Sequence, residues 1–166
     1  MDIMDSLCFT MPEETDREAV LNLYAACSHL PGCTWSSDYP TREVFDHDMA
    51  NGWLHCLKSG SEIIAVFSLG DFGELQTEDI SWNKAISKHC ELARIGVKPE
   101  FGGKGIGTQV LNYAMETARK QGFDGIRLLV SPSNLKAVAM YRRAGFITEG
   151  EADLFDNHWL CQDLKL

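Results

Sequence analysis

The chain has 166 residues, of which 45% are apolar and 23% charged, and it carries a formal net charge of −9. A chain of this length suits one domain that buries about two thirds of the surface its unfolded form would expose, and the composition excludes disorder and fibrous repeats. The acidic balance and the absence of a Lys/Arg run disfavour nucleic acid as a partner; they suit cationic partners, or solubility alone.

In chain order, the first strand is predicted at Leu7 to Met11. Asp16 then opens a helix whose Val20, Leu21, Leu23 and Tyr24 form an apolar face up to about Cys27. "SHLPGCTWSSDYP" reads as a loop, and Thr41 as the cap of a second short helix ending near Asn51-Gly52. Apolar runs at Trp53 to Lys58 and Glu62 to Leu69 flank "SGS" and predict a hairpin. The mixed stretch from Asp71 to Lys88 is expected to hold a short helix around Ile80 to Ile86, and "CELARIGV" (Cys90 to Val97) a strand that Pro99 stops.

Beyond "EFGGKGIGTQVL" (Glu100 to Leu111), apolar residues from Ile106 to Ala118 recur at helical spacing, with Gly122 as the stop. "GIRLLV" (Gly125 to Val130) is a buried-type strand. A helix from about Asn134 to Ala144, closed by Gly145, and strands near Phe146 to Glu149 and His158 to Leu164 complete the chain. Strand, glycine loop, helix and strand in succession imply a right-handed parallel crossover, hence a mixed α/β fold around one sheet.

Cys8, Cys27, Cys33, Cys56, Cys90 and Cys161 form no CxxC pair and read as small buried hydrophobes of a reducing compartment. The five histidines form no HExxH or HxxxH pair, so no metal is expected. "MDIMDSLCFT" lacks a signal pattern and no apolar run approaches a membrane span, which points to a cytoplasmic protein.

The glycine loop carries the chemistry. A helix N-terminus offers unpaired N–H groups and about half a positive charge, and glycines remove the Cβ atoms that would hold a phosphate away. Gly102 to Thr108, with Lys104 as a point charge, has the parts of a pyrophosphate cradle. A Walker A loop requires its lysine after the last glycine, whereas Lys104 precedes Gly105 and Gly107. A dinucleotide fingerprint starting at Gly103 and Gly105 meets Thr108 in place of the third glycine. A tight strand-to-helix turn without ligand would also use such glycines.

"IGVKPEFGGKGIGTQVL" resembles the acyl-CoA signature of the GNAT superfamily of N-acetyltransferases, [Q/R]-x-x-G-x-[G/A], through Gly105, Gly107 and the helix start. "NLKAVAMYRRAGF" (Asn134 to Phe146) is similar to that family's N-x-x-A-x-x-x-Y-x-x-x-G-F. Gly102 departs from the pattern, since the family carries Gln or Arg there. The resemblance covers Glu91 to Phe146 and implies a single domain over residues 1–166 with the GNAT-like acyl-CoA N-acyltransferase fold. That fold has a central mixed sheet, helices on both faces and a splayed parallel strand pair.

The resemblance implies acetyl-CoA as co-substrate. Gly102, Gly103, Lys104, Gly105, Ile106, Gly107 and Thr108 would hold its pyrophosphate, and the backbone of Ile95 and Val97 its pantetheine arm. Asn134, Ala137 and Tyr141 would lie along the cofactor. Gly96 fits the strand bulge the family uses, and equally a position that needs no side chain for packing reasons. Transfer to an amine with a pKa near 10.4 requires removal of a proton, a handicap of roughly 4 to 5 kcal/mol at neutral pH. Glu91 is the candidate base, against a surface glutamate near a strand start, and Tyr141 the candidate general acid, against a packed aromatic. Arg94 receives no catalytic role.

The expected acceptor is a small cationic amine, met by Trp35, Asp38 and Tyr39 or by Glu78, Asp79 and Trp82. A protein lysine or N-terminal acetyltransferase and a non-catalytic acyl-CoA sensor are the alternatives, and the family's frequent dimers leave a homodimer open.

Overall fold

The computed structural model describes residues 6–73 and 79–166. They form strands β1 (Leu7–Thr10), β2 (Leu54–Ser59), β3 (Glu62–Gly70), β4 (His89–Val97), β5 (Gly125–Val130), β6 (Ile147–Leu154) and β7 (Asn157–Lys165). Helices are α1 (Arg17–Cys27), α2 (Arg42–Ala50), α3 (Ile106–Lys120) and α4 (Leu135–Ala144). The strands make one mixed seven-stranded sheet in the order β1-β2-β3-β4-β5-β7-β6, the mixed α/β class that the order of elements predicts. Among the described residues no helix is long and apolar enough to cross a membrane.

The chain divides into two compact units, one comprising described residues 6–30, 35–69 and 94–110, the other 31–34, 70–73, 79–93 and 111–166. In the first, β1 to β3 form an antiparallel meander, with Leu7 opposite Ser59 and Leu54 opposite Ser68. Val20, Leu23, Tyr24 and Cys27 of α1 line one helix face and meet Phe45 of α2, with Leu54, Cys56, Ile63 and Val66 of the sheet, in a closed core. Thr41 caps α2 by accepting the Val44 N–H at 3.3 Å. Asp16 makes no cap hydrogen bond to α1; its carboxylate accepts from Glu13 N–H and faces Lys58.

In the second unit β5 runs antiparallel to β7, and β7 to β6. The parallel register of β4 with β5 runs from His89 opposite Gly125 to Glu91 opposite Arg127, while both strands continue beyond it. Leu111, Ala114 and Ala118 bury the inner stripe of α3. Asn134 caps α4 by accepting the Ala137 N–H, and Gly145 closes it at φ 102°.

The helix expected at Ile80 to Ile86 is absent: the described residues 79–88 contain no helix. Their apolar side chains meet the sheet where it lacks side chains. Ile86 occupies the space a Cβ on Gly125 would need, and Ile80 lies 2.8 Å from the Cβ position of Gly150. Apolar residues spaced for a helix thus seat an irregular segment. Of the cysteines, Cys27, Cys56, Cys90 and Cys161 are buried as expected, whereas Cys8 is exposed and Cys33 half-buried.

Candidate active site

The glycine loop belongs to the first unit. Pro99–Phe101 form a single 3-10 turn, and Gly103 and Gly105 then take left-handed backbone at φ 72° and 77°. A Cβ on either would meet nothing within 4 Å. The demand for glycine there is conformational, since the left-handed region strains other residues. The bend brings the chain into α3 at Ile106, and Gln109 N–H is the donor that first returns to Gly105 O, at 3.1 Å. The N–H groups of Ile106, Gly107 and Thr108 precede that bond and sit at the positive end of the helix dipole. Lys104 is exposed, its ammonium 5.4 Å from the centre of the Phe101 ring. The loop fits a diphosphate through main-chain donors, with no side chain at Gly102 to supplement them.

In the second half of β4 the left-handed backbone falls at Arg94, at φ 52°, and not at Gly96. Gly96 instead makes room, because a Cβ there would lie 2.8 Å from Leu23, 3.2 Å from Trp35 and 3.3 Å from Cys27. The Arg94 side chain is 6% exposed and grips Asp48, itself 1% exposed, through two bonds, Nε to Oδ2 and Nη2 to Oδ1, both 2.8 Å. Asp48 also accepts from Ser68 Oγ at 2.6 Å, and Arg94 Nη1 donates to the Tyr39 hydroxyl at 3.0 Å. Burial by itself would lower the Arg94 pKa, but Tyr39 and Asp48 turn the balance upward and the guanidinium stays charged.

Sequence reasoning gave Arg94 no catalytic role and passed over Asp48 and Ser68. One signal was available: Asp48 stands three residues after Phe45, on the buried face of α2, where an unpaired carboxylate would be costly. Ile95 and Val97, the expected pantetheine contacts, lie either side of Gly96, and Val97 O accepts from Cys27 Sγ at 3.3 Å.

The second unit holds the two candidate catalytic side chains. Glu91 is not a surface glutamate: it is 2% exposed, accepts the Phe72 N–H at 2.9 Å and lies 3.5 Å from His89 Nε2. Burial, then Arg127, lowers the His89 pKa, so this imidazole is neutral at physiological pH. Arg127 stacks over Trp82, 4.5 Å from the ring centre. Tyr141 is buried, edge-on to Phe146 at 5.5 Å, and burial raises its pKa, which keeps the phenol protonated. Ala137 is half-buried on α4.

Of the residues expected to meet an acceptor, Trp35 and Tyr39 reach β4, through Gly96 and Arg94. Trp82 instead covers Arg127. Asp38 and Asp79 are exposed, and Glu78 lies outside the described residues. Among the described residues no group of three or more His, Cys, Asp or Glu converges as a metal site.

The sequence and the fold have known counterparts. Residues 17–146 match the acetyltransferase (GNAT) family, and the chain belongs to that family. It is 40% identical over 70 residues to an uncharacterized N-acetyltransferase of Methanocaldococcus jannaschii, covering 41% of this chain and 31% of that relative. To a mycothiol acetyltransferase of Clavibacter michiganensis it is 32% identical over 134 residues, or 81% of this chain and 40% of the relative. The chain thus spans less than half the length of either. The fold is also that of yncA from Salmonella typhimurium, solved with its cofactor acetyl-CoA, at a TM-score of 0.70 and 16% identity over 97% of this chain and 94% of that one.

Proposed function

We propose that this chain transfers the acetyl group of acetyl-CoA to a primary amine of a small molecule. The observation that carries the proposal is the glycine loop. Left-handed Gly103 and Gly105 turn the chain into α3, where the N–H groups of Ile106, Gly107 and Thr108 at its start would receive an anion, within the family match. Gly102 and Lys104 flank this cradle, and the backbones of Ile95 and Val97 with Asn134 and Ala137 would hold the arm that follows. Bound there, acetyl-CoA supplies an activated thioester.

The chain's own residues supply the proton transfers. Glu91 would take the ammonium proton of the acceptor, with the neutral His89 beside it. Tyr141, kept protonated by burial, would give its hydroxyl proton to the departing sulfur. The name of the Clavibacter relative favours a small-molecule acceptor over a protein one. Trp35 and Tyr39 at β4 suit an amine that enters between aromatic rings.

The experiment is thiol release from acetyl-CoA with a panel of amines, beside calorimetric titration with acetyl-CoA alone. Uptake of acetyl-CoA with amine-dependent thiol release supports the proposal. Uptake without release for any amine leaves a sensor, and no uptake ends both readings. Within an active enzyme, Tyr141→Phe should lower kcat at least about a hundredfold while acetyl-CoA KM stays within about twofold.

A further inference from the structure

Arg94 is a non-glycine residue in left-handed backbone within a strand, a conformation that strains an L-residue. Such a residue persists where its surroundings over-determine it. Here they are explicit. The guanidinium is a planar fork, and both tines rest on one carboxylate at 2.8 Å, with donor and acceptor almost wholly buried. Asp48 is fixed in turn by Ser68 Oγ, and Tyr39 takes a further guanidinium N–H. Extended backbone at position 94 would restore strand alternation, move the Arg94 side chain to the other face and pull the fork off Asp48.

Downstream, the chain is pinned again. Gly96 lies against Leu23 and Trp35, Cys27 holds Val97 O, and Lys98 N–H donates to Ile64 O at 2.8 Å. The bend at Arg94 therefore decides which way the main-chain N–H groups of residues 95–97 point.

We infer that Arg94, clamped by Asp48, is a positioning residue that sets the bend of β4 and so aims the main chain at Ile95–Val97 toward the thioester. The inference rests on the acetyl-CoA reading above. It assigns the side chain no contact with the cofactor; Arg94 acts through the backbone.

The test separates backbone from side chain. Removing Arg94 alone would strand a buried carboxylate, so both variants carry Asp48→Asn: D48N/R94A and D48N/R94G. Glycine accepts a positive φ at no steric cost and alanine does not. Dissociation constants for acetyl-CoA and for coenzyme A are measured by calorimetry on wild type and both variants, each checked for folding by its thermal transition. The readout is the ratio of the two constants, which isolates the thioester.

Wild type is expected to prefer acetyl-CoA. D48N/R94A should lose about five- to tenfold of that preference, and D48N/R94G should be restored to within about twofold of wild type. Hydrogen exchange at the amides of residues 95–97 should follow the same order, fast in the alanine variant and slower in the glycine variant. Alanine and glycine variants that behave alike, or a wild type that binds both molecules equally, would overturn the inference and leave the acetyl-CoA reading intact. A wild type that binds neither molecule removes that reading and the inference with it.

Discussion

The two halves of β4 are held in different ways. From His89 to Glu91 the strand lies in parallel register with β5, and its approach is tied down by Asp124, whose carboxylate accepts from Ser87 N–H, Ser87 Oγ and Lys88 N–H. From Arg94 to Val97 the strand has β3 as its neighbour in the sheet, and to that are added a buried ion pair to α2, a glycine packed against α1 and a thiol on a carbonyl. Main-chain pairing imposes a regular strand whatever the side chains, so its first half is free to carry a buried Glu91. In this second half the backbone leaves the regular conformation at Arg94, where the buried ion pair to Asp48 accompanies it.

Substitutions can break that contrast. The largest effect is expected at Arg94→Ala, which leaves the Asp48 carboxylate buried and unpaired and should cost about 3–5 kcal/mol in urea unfolding. A loss below about 1 kcal/mol would show that the ion pair does not hold this half. Glu91→Gln should do the opposite. The glutamine carbonyl still accepts from Phe72 N–H, so stability is expected to hold while kcat falls about a hundredfold or more at unchanged acetyl-CoA KM. Turnover within a few-fold of wild type would take the base role from Glu91.

Gly96→Ala drives a Cβ into Leu23, Trp35 and Cys27 and should cost about 1–3 kcal/mol through overpacking. A neutral result would return Gly96 to the status of an ordinary strand residue. The smallest effect concerns Asp124. Hydrogen bonds from the Ser87 and Lys88 backbones hold its carboxyl below the usual carboxylate range. Its contribution is therefore complete above the unfolded aspartate pKa, about 3.9, and fades as pH falls below that toward the folded value. Asp124→Asn should lower the urea midpoint at neutral pH, with the gap to wild type narrowing below about pH 4. A gap that stays constant into acid would mean the carboxylate charge has no part in fixing the start of β4.

What could be read from the sequence divides along the same line. The glycine loop, the Asn134 cap and the Gly145 stop are local patterns, and the structure shows each of them. The bend at Arg94 was not legible, because what stabilises it stands 46 residues away on helix α2 and nothing beside Arg94 announces it. Gly96 could be read equally as a bulge or as a position with no room for a side chain, and the packing reading is the one the structure bears out. The helix expected at Ile80 to Ile86 failed for a related reason. Its apolar spacing matches the glycines of β5 and β6 beneath it, and period alone cannot separate those causes.

That seating of residues 79–88 has a consequence for engineering. The segment rests on Gly125 and Gly150 through Ile86 and Ile80, and on Asp163 through the Asn83 N–H, with no strand ladder of its own. Ser81, Lys84 and Ala85 point outward from these anchors. A library confined to those three positions can remodel the outer surface of the segment while its footing stays constant, a convenient place to begin directed evolution on this scaffold.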